Sequence, residues 1–134
     1  MEIIVNYRDI PMDKRAAVVN ALFSLQFYHS GGVQAQKEIM DRSTPDSLPQ
    51  FLLVFREDQL IGYSFIYGQT PEHQIGGGGQ CNADELPLPL AIRLLEETIA
   101  LEEAYGCVAL ANVTRLLLEN QKKGIGRRND ADCR

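Results

Sequence analysis

Hydrophobic positions are densest between Phe51 and Gly68, where two apolar runs flank a short polar interruption. Phe51-Leu52-Leu53-Val54-Phe55 is apolar without alternation, the pattern of a strand covered on both faces. Glu57-Asp58-Gln59 supplies a turn, and Leu60 to Tyr67 is rich in β-branched and aromatic residues, so a second strand returns. Gly62 inside it marks a bulge or a close approach of another group to the backbone. Upstream, residues 2–7 read as a first strand. Pro11-Met12-Asp13 resembles a helix start with Asp13 as the cap. Val18, Val19, Leu22, Phe23 and Phe27 then recur at helical spacing. Gly31-Gly32 is expected to end that helix, and Val33 to Met40 gives a second, shorter one. Residues 43–49 are a loop by composition.

Downstream, Gln69 to Pro89 holds four consecutive glycines, Gly76 to Gly79, which are poor material for a strand or helix. They suit a surface loop, or a cradle of backbone amides for an anion just before a helix N-terminus. Leu90 to Tyr105 carries the strongest helical pattern. Leu90, Ala91, Leu94, Leu95, Thr98, Ile99 and Leu101 form its apolar stripe. Glu96, Glu97, Glu102 and Glu103 are expected on its solvated face, not as an acid/base pair. Gly106 ends the helix, and Cys107 to Val113 reads as another strand. Leu116 to Leu118 continues it or begins a helix. Strands and helices in this succession give an α/β (α+β) fold, with the helix–strand unit packed on the hairpin.

With 134 residues and ordinary proportions of apolar and charged side chains, the chain is expected to be a single globular domain spanning 1–134. No apolar run approaches the about 18 residues of a membrane span. The N-terminus lacks the basic and apolar regions of a signal peptide, so a cytoplasmic location is expected and no membrane partner. A net charge of −5 argues against nucleic acid, whose binding needs cations to displace counterions. The charge is uneven, however: from Thr114 to Arg134 six cations face three anions. A small basic end on an acidic chain suits a phosphate-bearing small ligand, or is simply a solvated tail. Cys81, Cys107 and Cys133 are too scattered for a disulfide framework, and with His29 and His73 they form no metal-binding spacing, so no metal is expected.

Val54-Phe55-Arg56-Glu57-Asp58-Gln59-Leu60-Ile61-Gly62-Tyr63 resembles the second and third strands of the GNAT superfamily of acyl-CoA-dependent N-acyltransferases. The opening strand and long first helix fit the same resemblance. That family's pyrophosphate loop reads Gln/Arg-x-x-Gly-x-Gly/Ala, and Gln121-x-x-Gly124-x-Gly126 matches it after the apolar run Val113 to Leu118. The resemblance implies a mixed, mostly antiparallel central sheet flanked by helices, and Gln121, Lys123, Gly124, Ile125 and Gly126 as cofactor-binding residues. In the family the loop opens a long helix and further strands, whereas eight residues follow Gly126 here. A second alignment therefore takes Leu90–Tyr105 as the helix after the loop and Cys107–Thr114 as the next strand. That version is favoured for the fold, implies a C-terminally shortened domain and moves the cofactor position to residues 76–82.

The resemblance implies a transferase that moves an acetyl group from acetyl-CoA to a primary amine of a small molecule or protein. Tyr63, Tyr67 and Glu72, on or just after the third strand, are the candidate acid or base groups. The alternative is a catalytically inactive GNAT-like binding or regulatory module, a homodimer completing its sheet between protomers. A more distant reading is an unrelated α+β interaction protein with an acidic surface for a basic partner.

Overall fold

A computed structural model describes residues 1–27, 31–67 and 78–124. Among these residues the chain is a mixed α+β structure with one four-stranded antiparallel sheet and four α-helices. Strand β1 (Glu2–Asn6) leads through two short 3₁₀ turns to α1 (Arg15–Ser24) and α2 (Gly32–Asp41). Strands β2 (Gln50–Arg56) and β3 (Gln59–Tyr67) form the hairpin, and β4 (Gly78–Cys81) adds to it before α3 (Leu88–Ala104) and α4 (Val108–Lys122). Spatial order follows sequence order, β1-β2-β3-β4.

The hairpin is the centre of the fold, as its hydrophobicity demands. Leu53 and Val54 on β2 and Phe65 and Ile66 on β3 are each at most 1% exposed. The sheet separates two cores. On one side Phe51, Leu53, Tyr63 and Phe65 pack against Val18, Val19 and Leu22 of α1 and against Phe27. Phe51 and Phe65 stack with centroids 4.1 Å apart, and Phe27 meets both rings edge-on. On the other side Leu52 and Val54 pack against Leu90, Ala91, Leu94 and Leu95 of α3, which is in turn covered by Ala111 and Leu118 of α4.

Gly62 combines both of its expected roles. Val54 faces Gly62 while Phe55 faces Leu60, so Ile61 is an extra residue in the ladder. A β-carbon on Gly62 would lie 2.9 Å from Leu86 Cδ1, so Leu86 and Asn82 approach this backbone closely. Asn82 then completes the strand pairing with its side chain: its Oδ1 accepts from Tyr63 N at 2.9 Å and its Nδ2 donates to Ile61 O at 3.1 Å.

Several local expectations fail, each for a physical reason. Cys107 to Val113 does not form a strand: Val108–Lys122 is one helix. A seven-residue run that is apolar except for Asn112 cannot distinguish the two periods, and the buried positions Ala111, Thr114, Leu118 and Gln121 reveal the helical one. Asp13 makes no capping bond to either the 3₁₀ turn or α1. Gly31-Gly32 does not end α1. That helix stops at Ser24, Gln26 adopts the left-handed conformation (φ 59°), and Phe27 N bonds back to Leu22 O, which swings the Phe27 ring into the core. Gly31 (φ 97°) instead opens α2. Gly78 and Gly79 of the glycine run do hold a strand, paired with Tyr67 and Ile66.

Candidate functional site

The β3–β4 edge and the helix pair enclose a hollow with several polar side chains in its wall. Ser64 on β3, Gln80 and Cys81 on β4, Thr98 and Glu102 on α3, and Thr114 on α4 line a cavity of about 80 Å³. It adjoins an open cleft of about 480 Å³, which adds Ala83, Asp84, Asn120 and Gln121 and shares Gly79, Gln80, Cys81, Leu95 and Leu117. Gly79 makes this approach possible. A β-carbon there would stand 3.3 Å from Phe65 O, 3.9 Å from Leu110 Cδ1 and 4.0 Å from Glu102 Oε2. On the opposite face of the sheet a groove of about 540 Å³ lies between α1 and the β1–β2–β3 end, with a largely apolar wall of Ile3, Val5, Val18 and Phe55.

Glu102 is the unusual group. The sequence places it in solvent with Glu96, Glu97 and Glu103, yet it is 1% exposed, whereas the other three lie at the surface. The reason is helical phase: Ala91, Leu95, Thr98 and Glu102 fall on one stripe, and α4 closes over the last of them. Its Oε1 has no hydrogen-bond partner. Burial pushes its pKa above the ordinary carboxyl range, although the Thr114 hydroxyl and the Arg115 charge pull the other way. Arg115 is itself paired with Glu103 and hydrogen-bonded to Asn112.

Nearby hydroxyls are well ordered. Thr98 Oγ1 lies 2.7 Å from Leu94 O and 2.8 Å from Ser64 Oγ. The Thr98 hydroxyl hydrogen is shared between the Leu94 carbonyl and the Ser64 hydroxyl oxygen. Burial also raises the thiol pKa of Cys81, which makes it a poor nucleophile at neutral pH.

The residues singled out from the sequence fall in different places. Tyr63 and Tyr67 point to the α1 side of the sheet with Phe65, away from Glu102. The Tyr63 hydroxyl accepts from Gln80 Nε2 at 3.1 Å, and burial raises its pKa. The Tyr67 ring covers Gly78 and is 38% exposed. Gln121 borders the cleft at the end of α4. Lys123 and Gly124 follow it with their amides bonded to Glu119 O and Gln121 O. Glu72, Ile125, Gly126, Gly76 and Gly77 lie outside the described residues. Gly79 and Gln121, one from each of the rival cofactor segments, thus border the same cleft. Sequence reasoning does not single out Ser64, Thr98, Glu102 or Thr114 for chemistry. Their only signal in the sequence is a polar side chain in phase with an apolar stripe.

Among the described residues no group of three His, Cys, Asp or Glu side chains is placed to hold a metal ion, and no helix is long and apolar enough to cross a membrane. Comparison with family models, with curated proteins and with solved structures gives no match in any of the three.

Proposed function

We propose that this domain is an acyl-CoA-dependent N-acyltransferase that takes its acyl group from acetyl-CoA, with donor and amine acceptor meeting in the β4–α3–α4 cleft. The observation that carries this reading is the convergence of Gly79 and Gln121 on that one cleft. Its volume of about 480 Å³ is in the range of small-molecule sites. The element order from β1 to α3 also agrees with the order the resemblance implies. Against it stands α4, a helix where the favoured alignment places a strand. The thioester arm therefore lies against α4 instead of between two splayed strands. β4 is the edge strand of the sheet among the described residues, the position from which backbone amides would polarise a thioester carbonyl. Lys122 and Lys123, beside Gln121, offset the charge of the phosphates. Of the acid or base candidates by sequence position, Tyr63 and Tyr67 lie on the α1 side of the sheet, away from this cleft, and Glu72 lies outside the described residues.

Titration calorimetry with acetyl-CoA tests the reading. Saturable heat is expected, and it weakens in Gly79→Val, whose side chain narrows the cleft. Absence of heat at millimolar acetyl-CoA refutes it.

A second reading, a non-catalytic module that dimerises through its sheet, is favoured by the exposed apolar residues Val113, Leu116 and Leu117 on α4 beside the β4 edge. Sedimentation showing only monomer at micromolar concentration eliminates it.

A further inference from the structure

Glu102 combines a carboxyl oxygen without a partner, near-complete burial and a place in the wall of a cavity. An ionised carboxylate in that position is unfavourable unless a cation joins it. The cavity walls include Ser64, Thr98 and Thr114 among largely apolar residues, and no lysine or arginine side chain. The Glu102 carboxylate disfavours an anion there, and with hydroxyl oxygens able to accept beside it the wall matches a group with several N–H donors and no acceptor, as an ammonium has. The volume of about 80 Å³ leaves room for a compact head such as an aminomethyl group. The remainder of such a ligand continues into the adjoining cleft past Gly79 and Leu117, which border both spaces.

We propose that the Glu102 cavity is a primary-amine site that takes an ammonium head on an unbranched chain, with Glu102 as its counter-charge and proton acceptor. The proton step balances simply: one ammonium proton moves to the Glu102 carboxylate, leaving a neutral amine and a neutral carboxylic acid. Binding stands on the cavity alone; the use of that neutral amine as a nucleophile rests on the acyltransferase reading.

The groups that act on Glu102 from the elements packed around it are Cys81 on β4, Cys107 before α4, and Arg115 on α4. Both thiols are raised by burial and stay neutral near pH 7, and Arg115 is always charged. The pH dependence of amine binding therefore reports Glu102. Because burial raises its pKa, an incoming ammonium displaces whatever proton Glu102 carries, so binding releases protons and tightens as pH rises through the folded-state value.

The probe is n-butylamine, titrated calorimetrically into the whole chain in buffers of different ionisation enthalpy, with tert-butylamine as the branched control. Saturable binding of n-butylamine with proton release is expected. Loss of at least tenfold in affinity and of proton release is expected in Glu102→Gln, and weaker binding in Thr114→Val, which keeps the shape and removes one hydroxyl. Circular dichroism establishes that each variant is folded, and Thr114→Val carries the test where Glu102→Gln does not fold. No binding to the wild type, or unchanged binding in the folded variants, overturns the proposal. Heat with acetyl-CoA but none with the amine overturns this site alone. Heat with the amine but none with acetyl-CoA keeps the site and removes the transferase.

Discussion

Replacing Gly62 with alanine puts a methyl group where the structure has no room. The new β-carbon would stand 2.9 Å from Leu86 Cδ1, 3.0 Å from Leu86 Cδ2 and 3.2 Å from Asn82 Oδ1. Leu86 is 2% exposed and packed with Leu90 and Val54, so its methyls cannot swing into solvent. Overpacking of this kind costs about 1–3 kcal/mol. Loss of glycine's freedom in the unfolded chain returns about 0.5–1 kcal/mol, since Gly62 has no positive φ that alanine must avoid. Taken at their midpoints these give a net loss of about 1 kcal/mol, or a Tm lower by roughly 3–5 °C for a domain of this size. Urea unfolding at 25 °C followed by far-ultraviolet circular dichroism measures it. Leu86→Ala alone costs about 2–5 kcal/mol through the cavity it leaves. In the double variant the methyl introduced at position 62 occupies part of that cavity, so the two changes combine with a favourable coupling of about 1 kcal/mol. A Gly62→Ala protein as stable as the wild type, or strict additivity with Leu86→Ala, refutes the packing argument. Because Asn82 also ties Ile61 and Tyr63 to the start of the β4–α3 connection, Gly62→Ala should loosen the wall of the cleft as well.

Three further outcomes follow from the charged and polar groups. Glu102 has a folded pKa raised by burial, so the unfolded chain loses its proton first as pH rises, and stability falls from about pH 4.5 up through the folded value. Glu102→Gln should flatten that decline in a Tm–pH series; an unchanged slope counts against the buried carboxyl. Burial alone would raise Asp41, but hydrogen bonds from Lys37, Tyr7 and Arg15 outweigh it and hold its pKa below the ordinary value. Its contribution is therefore present above about pH 4 and lost as pH falls through the folded value, and Asp41→Asn should remove about 1–2 kcal/mol at pH 7 by urea unfolding, an effect that shrinks as pH falls through that value. Thr98→Val should cost about 1 kcal/mol, because the Ser64 hydroxyl loses its buried partner; an unchanged urea midpoint contradicts this.

What the sequence determined by itself is the element that tolerates no alternative. Phe51 to Phe55 and Leu60 to Ile66 are too apolar to lie anywhere but in the centre of the sheet, so the hairpin, its turn and the role of Gly62 were legible. So were the opening strand, the second helix and the long third one, whose periodicities extend over whole elements. Tertiary structure decided the rest. The Cys107–Val113 run has no period of its own, and its helical state follows from Ala111 and Leu118 finding α3. The end of α1 was set by where Phe27 could be buried, because a left-handed Gln26 is a small cost against a filled aromatic cluster. Glu102 shows the same division most clearly. Its side chain says solvent, its helical phase says interior, and only the packing of α4 across α3 and β4 settles the contest and places a carboxyl beside a cavity.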